Sequence, residues 1–319
     1  MASKVQDCDC GFVDSADPSE SIFTSFLAVD FTSTSSKDFD NIFISASYDV
    51  FKDGSPYTRD FSPDQVQLSD DGLALIVSPV SNSETVPCAQ IFTRDTAFFY
   101  GSYHVQLQAS NVAGTTTAFF NYKNDSSEVD IEYLNAWDDA TLLYTTKPQI
   151  YSASGTPSNL TYQREKWNDT SVAFYDDSHD WSFIWLPDIV YFGLDEEYSR
   201  YIDTNVPQAP GRLAISQWSD GNPNYSLGPP DKDSTVTVSY LWAVYNSTGA
   251  KELACKKTDS TCTISKGVFQ PSNGSGGDDD SGSPPVIDIN SASPRVEPMA
   301  FNLLFGFFFL FWVTSWRSS

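Results

Sequence analysis

Between residues 22 and 246 the chain is written in short runs rich in Val, Ile, Phe, Tyr and Thr, punctuated by Gly, Pro, Asn and Asp. Side chains on a strand alternate between its two faces, so such runs predict strands and the punctuating residues predict turns. Segments 39–44, 66–68, 73–78, 101–108, 115–122, 127–134, 181–186, 189–194, 212–217 and 235–245 carry the signal. No amphipathic helical stretch longer than about two turns interrupts them. Short strands without helices between them predict an all-β fold, a two-sheet β-sandwich of the jelly-roll kind. One all-β domain of about 200 to 250 residues is an ordinary size. Residues 22–250 are therefore expected to form the main domain, after an N-terminal segment 1–21 and before a Cys-containing segment 251–269.

The pattern changes twice at the C-terminal end. Residues 270–299 are Gly, Ser, Asp, Pro and Asn with almost no aromatic content, the composition of a disordered spacer. Residues 300–316 then turn strongly apolar, and 300–319 read as a hydrophobic tail. A small-residue site at Asn290-Ser291-Ala292, a polar spacer and an apolar tail match the signal for a glycosylphosphatidylinositol anchor. The tail is short for a membrane-spanning helix, which needs about 20 apolar residues. The first ten residues, MASKVQDCDC, contain no secretory leader, so an anchored protein is expected to have a leader missing from this sequence.

Charge narrows the partners. With 42 acidic against 18 basic residues the formal charge is −24, which argues against nucleic acid and against an anionic membrane surface. A neutral polymer is compatible with it, and any membrane association is expected only through the lipid anchor. Asn-x-Ser/Thr sites at Asn124, Asn159, Asn168, Asn224, Asn246 and Asn273 point to a glycosylating secretory route and an extracellular or cell-surface location. The cysteines, Cys8, Cys10, Cys88, Cys255 and Cys262, lack the paired spacing of a zinc site. Cys255 and Cys262 are spaced for a short disulfide loop, and Cys88 with Cys8 or Cys10 is a second pairing that sequence leaves open.

The chemistry concentrates in Asn124-Asp-Ser-Ser-Glu-Val-Asp-Ile-Glu-Tyr-Leu134. Glu128, Asp130 and Glu132 alternate with Val129, Ile131 and Tyr133, so the acids share one face of a strand and the apolar residues share the other. Three like charges on one face repel, and their presence asks for a use. The Cα atoms of Glu128 and Glu132 are expected about 13 Å apart. Side chains leaning together bring their carboxylates to about 5–6 Å, the separation of a retaining glycosidase. Taken alone, the pattern also fits a solvated acidic face or a calcium site.

Its surroundings make the reading specific. Glu128-Val-Asp-Ile-Glu132 resembles the ExDxE signature of glycoside hydrolase family 16. Further similarity runs through Cys8-Asp-Cys-Gly-Phe12, Thr93-Arg94, Phe99-Tyr-Gly101, Phe119-Phe-Asn-Tyr-Lys-Asn-Asp125, His179-Asp-Trp-Ser-Phe-Ile-Trp185 and Pro210-Gly-Arg212. The run 217–230 and Val238-Ser-Tyr240 resemble the family's fungal branch. The resemblance implies a concanavalin A-like jelly roll, with Glu128 as nucleophile, Glu132 as acid/base and Asp130 as the assisting residue. It also implies a β-glucan substrate, laid across an open sheet face, and expected in cell walls. His179 is a candidate for a hydrogen bond to substrate or to a catalytic carboxylate. Trp185, Trp218 and Trp137 are candidates to line the cleft, although Trp185 also suits the core. Tyr225 stands where the fungal branch usually carries Trp, and Gly193-Leu-Asp-Glu-Glu197 replaces a common Val-Asp-Gly turn. These departures leave linkage preference open.

A retaining endo-β-glucanase acting on β-1,3 or mixed β-1,3/1,4 glucan is the first expectation, a wall glucan transglycosylase the second, and an inactive glucan-binding wall protein the third. The mechanism needs no cofactor. Some family relatives hold a structural calcium, but no ligand cluster assigns one here, and a monomer is expected.

Overall fold

The computed structural model describes residues 8, 10–81, 84–135, 140–167, 174–248 and 261–270. Among them are two main sheets that face each other across a common core. The nine-stranded front sheet runs in the spatial order Tyr162–Lys166, Thr141–Lys147, Ser127–Leu134, Thr116–Asn124, Arg212–Trp218, Thr85–Thr93, Thr58–Phe61 and Tyr48–Val50, with Phe43–Ser45 also pairing to Thr85–Thr93. The eight-stranded back sheet is built around Phe98–Gln108, flanked by His179–Trp185 and the long strand Ser234–Ser247. The all-β two-sheet architecture expected from the sequence is the one observed.

Alternation explains the core. Phe119, Val129, Ile131, Tyr144, Leu213 and Ile215 of the front sheet point inward against Tyr103, Val105, Phe183, Phe192, Val236 and Leu241 of the back sheet, all buried. Burial of each such side chain contributes about 1.5–3 kcal/mol. Having Val129, Ile131 and Tyr133 inside forces Glu128, Asp130 and Glu132 onto the outward face of the front sheet.

One segment expected as strand is helix. Residues 36–42 form the short helix Ser36–Ile42, and Phe43–Ser45 alone extends as strand. Ser35 caps it by accepting from the Asp38 backbone N–H, which satisfies a helix-end donor that an extended chain would not present. Phe39 packs onto Phe31 and Phe43 from the helix.

The N-terminal and Cys-containing segments meet. Phe12–Asp14 pairs in parallel with Cys262–Ser265, which continues to Val268–Gln270 as a third small sheet. Phe12, Cys262 and Ile264 pack with Phe26, Ala28, Trp242 and Val244 in a second apolar cluster. The cysteine pairing differs from expectation: Cys262 is bonded to Cys8, not to Cys255. Cys10 is also disulfide-bonded, while Cys88 is a free, buried thiol and pairs with neither Cys8 nor Cys10. Cys88 lies at the far side of the front sheet, in a cluster with Phe61, Val86 and Trp218, where burial pushes the thiol up to about 12.

Candidate active site

The acidic strand Ser127–Leu134 lies between Thr116–Asn124 and Thr141–Lys147. Its register sets Glu128 between Tyr122 and Lys147, Asp130 between Phe120 and Thr145, and Glu132 between Ala118 and Leu143. Two strands away, Ala214 and Ser216 share that outward face.

Although they point away from the core, the acids are poorly exposed. Asp130 is 5% exposed, and the Glu128 side chain is 11% exposed. Side chains from the neighbouring strand and loop therefore stand over them. One wall is Lys147, whose Nζ lies 2.5 Å from Oε2 of Glu128. The opposite wall is the loop after Arg212–Trp218, from which the Tyr225 hydroxyl donates to Oε2 of Glu132. Tyr225 lies nearly parallel to Trp218, at 5.9 Å and 15°, and the Arg59 guanidinium sits 4.4 Å from the centre of the Trp218 ring.

That loop is pinned from both sides. Ser226 Oγ donates to Asp220 Oδ1, Ser55 Oγ donates to Asp220 Oδ2, and the Tyr57 backbone N–H donates to the Asp220 carbonyl. Gly221 has φ +69° and faces Tyr57, and a β-carbon there would stand 2.6 Å from the ring. A side chain at this position would push the two loops apart.

Electrostatics divides the three acids. Burial pushes the Asp130 carboxyl well above the usual carboxylate range, and Glu128 and Glu132 push it further. Burial also raises Glu132, and Glu128 adds to that, while the Tyr225 hydrogen bond, Lys147 and Arg59 pull it back. Burial alone would lower Lys147, but Glu128, Asp130 and Glu132 outweigh it and the ammonium is held more firmly. Tyr225 is pushed well above its ordinary range by burial and by Glu132. Tyr162, raised mainly by burial, also feels Glu132 and Asp130. The arrangement is an ion-paired carboxylate at one end, a buried carboxyl hydrogen-bonded to a phenol at the other, and between them a carboxyl that burial and its neighbours push up.

The candidates outside the acidic strand fare unevenly. Trp218 shares the outward face with the acids, but it is only 8% exposed and is covered by Tyr225 and Arg59. Trp185 does not line this face. It is fully buried in the core between the sheets, its indole N–H donating to the Pro207 carbonyl, because its strand belongs to the back sheet and alternation turns it inward with Trp181 and Phe183. His179 starts that same back-sheet strand, and its Nδ1 pairs with Asp195 Oδ2 at 2.7 Å instead of with an acid of the front sheet. Trp137 lies outside the described residues.

Lys147, Tyr225 and Arg59 were not among the sequence candidates. Lys147 belongs to a strand, Thr141–Lys147, buried on both faces, so it shows no alternation to read. Tyr225 did carry a signal, as a departure from the pattern of the fungal branch.

The fold and site together define a two-sheet jelly roll with an alternating acidic row on its outward face. Comparison with known proteins agrees. The sequence model for glycosyl hydrolases family 16 matches residues 53–242, which includes the whole acidic strand, and the chain belongs to that family. It is 25% identical over 212 residues to a β-glucanase of Paenibacillus polymyxa, covering 62% of this chain and 81% of that one. With a β-glucanase of Acetivibrio thermocellus it shares 24% over 204 residues, spanning 58% of that protein's length. Among solved structures, the catalytic domain of an endo-1,3-β-glucanase (laminarinase) from Thermotoga petrophila superposes with a TM-score of 0.57 over 69% of this chain and 97% of that one, at 15% identity.

Proposed function

We propose that the protein is a retaining, endo-acting β-glucanase that cleaves β-1,3 or mixed β-1,3/1,4 glucan. The observation that carries this reading is the unequal treatment of the outer acids: Glu128 is ion-paired to Lys147, whereas Glu132 is buried against Tyr225 and raised. A retaining reaction needs one ionised carboxylate and one carboxyl that holds a proton. In this reading Glu128 attacks the anomeric carbon as the glycosidic C–O bond breaks, and Glu132 gives its proton to the departing oxygen. A water then loses a proton to Glu132 and attacks the same carbon, releasing Glu128. Asp130, whose carboxyl burial raises, stands between them as the assisting residue that orients the nucleophile. Trp218 backs the wall that Tyr225 presents to the acids. The chemistry requires no cofactor or metal.

The β-glucanase names of the relatives support the substrate class. The resemblance of 217–230 to the fungal branch, the glycosylation sites and the apolar tail support a secreted and lipid-anchored enzyme working in a cell wall. Incubation with defined β-glucans, followed by proton NMR of the first product formed, tests the reaction. New reducing ends in the β configuration are expected, and they should vanish in Glu128→Gln and Glu132→Gln. An α-configured first product, or no turnover across the glucans, overturns it. Transfer to a labelled acceptor oligosaccharide in place of water identifies the wall transglycosylase, which uses the same glycosyl-enzyme. Binding without bond cleavage identifies an inactive glucan-binding protein.

A further inference from the structure

The Glu132 carboxyl has two oxygens, and the structure treats them differently. Oε2 accepts from the Tyr225 hydroxyl, on a loop fixed by Asp220, Ser226 and Ser55. The ring is further held along Trp218, itself backed by Arg59. A phenol O–H fixed in this way is a preorganised donor, and a carboxyl that keeps one oxygen on it is fixed in rotation. We propose that Tyr225 is a positioning residue which holds Oε2 of Glu132 and thereby makes Oε1 the oxygen that carries the transferred proton. This deepens the proposed function and rests on it.

A donor to the ionised form favours that form. The groups facing Glu132 are Glu128 and Asp130 on its own strand, Lys147 on the next, Arg59 towards the sheet edge, Lys52 beside Asp220, and Tyr162 and Tyr225. Burial and then Glu128 raise Glu132, while the Tyr225 hydrogen bond, Lys147 and Arg59 lower it. Tyr225 is thus expected to set how far the acid/base is raised, as well as which oxygen works. A tryptophan in this place would keep a ring and replace the phenol O–H by an indole N–H set at a different point of the ring.

The test is the pH dependence of kcat/KM for wild type, Tyr225→Phe and Tyr225→Trp, on a β-glucan and on a dinitrophenyl β-glycoside whose leaving group needs no proton. Loss of the hydroxyl should move the basic limb on glucan to higher pH by about half a unit or more. Turnover of glucan at neutral pH should fall by about tenfold, part of what a general acid supplies, while the dinitrophenyl glycoside changes less than about twofold. Profiles that superimpose on wild type, or equal losses on both substrates, overturn the proposal. Tyr225→Trp keeps a ring beside Trp218 and guards against a folding failure in Tyr225→Phe.

A carbon-13 titration of the Glu132 carboxyl in wild type and Tyr225→Phe makes the same comparison without turnover, and an unmoved midpoint overturns the proposal. If wild type cleaves glucan through Glu128 and Glu132 but the Tyr225 variants behave like it, the positioning role alone falls. If wild type cleaves none of the glucans, the proposed function falls first.

Discussion

Lys147 and Glu128 are directly paired across neighbouring strands, and the ammonium lies 2.5 Å from the carboxylate. Both side chains are mostly shielded, at 23% and 11% exposure, so the pair is not a surface bridge of small worth. It supplies the cation that lets a row of three acids persist on one face.

Removing one partner strands the other. Lys147→Met is expected to lower stability by up to about 3 kcal/mol, because an unpaired, shielded carboxylate remains. Glu128→Gln with Lys147→Met should recover much of that loss. Chemical denaturation of the wild type, both single variants and the double variant gives the coupling. Additive effects would mean that the pair does not hold the strand.

A second buried charge cluster lies on the outer side of the back sheet. His104 is fully buried, with Nε2 3.1 Å from Asp14 and Nδ1 2.7 Å from Asp180, stacked on Trp242 at 3.8 Å. Burial alone would lower it, but the two aspartates raise it from 6.5 to about 10, and the Asp14 carboxyl is lowered despite its own burial, chiefly by its hydrogen bond to His104. A raised imidazolium contributes stability in full below about pH 6.5, and that contribution is lost as pH climbs towards about 10. The lowered Asp14 contributes above 3.8 and fades as pH falls through its depressed value. The stability difference between wild type and His104→Gln should therefore peak between about pH 4 and 6.5 and shrink on the alkaline side. Thermal denaturation across pH 3–10.5 measures it, and a difference that grows above pH 7 would contradict the charge assignment.

The same cluster marks where sequence stops being informative. In Phe98–Gln108, alternation correctly turns Tyr103, Val105 and Leu107 inward and His104 outward. His104 is buried because Asp14, from the N-terminal segment, lies over that outward face, and no local pattern announces contacts 90 residues apart. The acids of 128–132 were legible for the opposite reason, since their placement depends only on a period of two within one strand. Strands without that period were missed: Thr141–Lys147 is buried on both faces, and Tyr162–Lys166 reads YQREK, which is almost wholly polar. Trp185 shows the limit for single aromatics. Which face a tryptophan occupies follows from its strand's register, and which sheet it joins follows from topology.

Trp185 and Trp218 should separate cleanly under substitution. Trp185→Ala removes a fully buried indole and is expected to cost about 3–5 kcal/mol of stability. Trp218→Phe keeps a ring beside Tyr225 and Arg59, so it should cost less stability than Trp185→Ala, and it should raise KM for glucan only through the shift of Tyr225, which it backs. Denaturation midpoints and steady-state kinetics on the two variants decide it. A Trp185→Ala protein of wild-type stability would contradict the core placement.

Asp130 offers the sharpest test of the site's electrostatics. Its folded carboxyl is raised, mainly by burial and then by Glu128 and Glu132, so the native state holds a proton that the unfolded chain releases above about pH 3.8. Where the native state binds more protons than the unfolded one, stability falls as pH rises. Asp130→Asn mimics the protonated carboxyl in shape and cannot ionise, so it escapes that fall. The variant should be about as stable as wild type near pH 3.5 and more stable at pH 7, by about 1 kcal/mol or more for each unit of raised pKa that it removes. It should also lose glucan turnover if Asp130 orients Glu128. Thermal melts at the two pH values, with activity measured on the same samples, check both halves. A variant less stable than wild type at pH 7 would mean that Asp130 is ionised in the folded protein and paired there, and the proton-retaining role would fall with it.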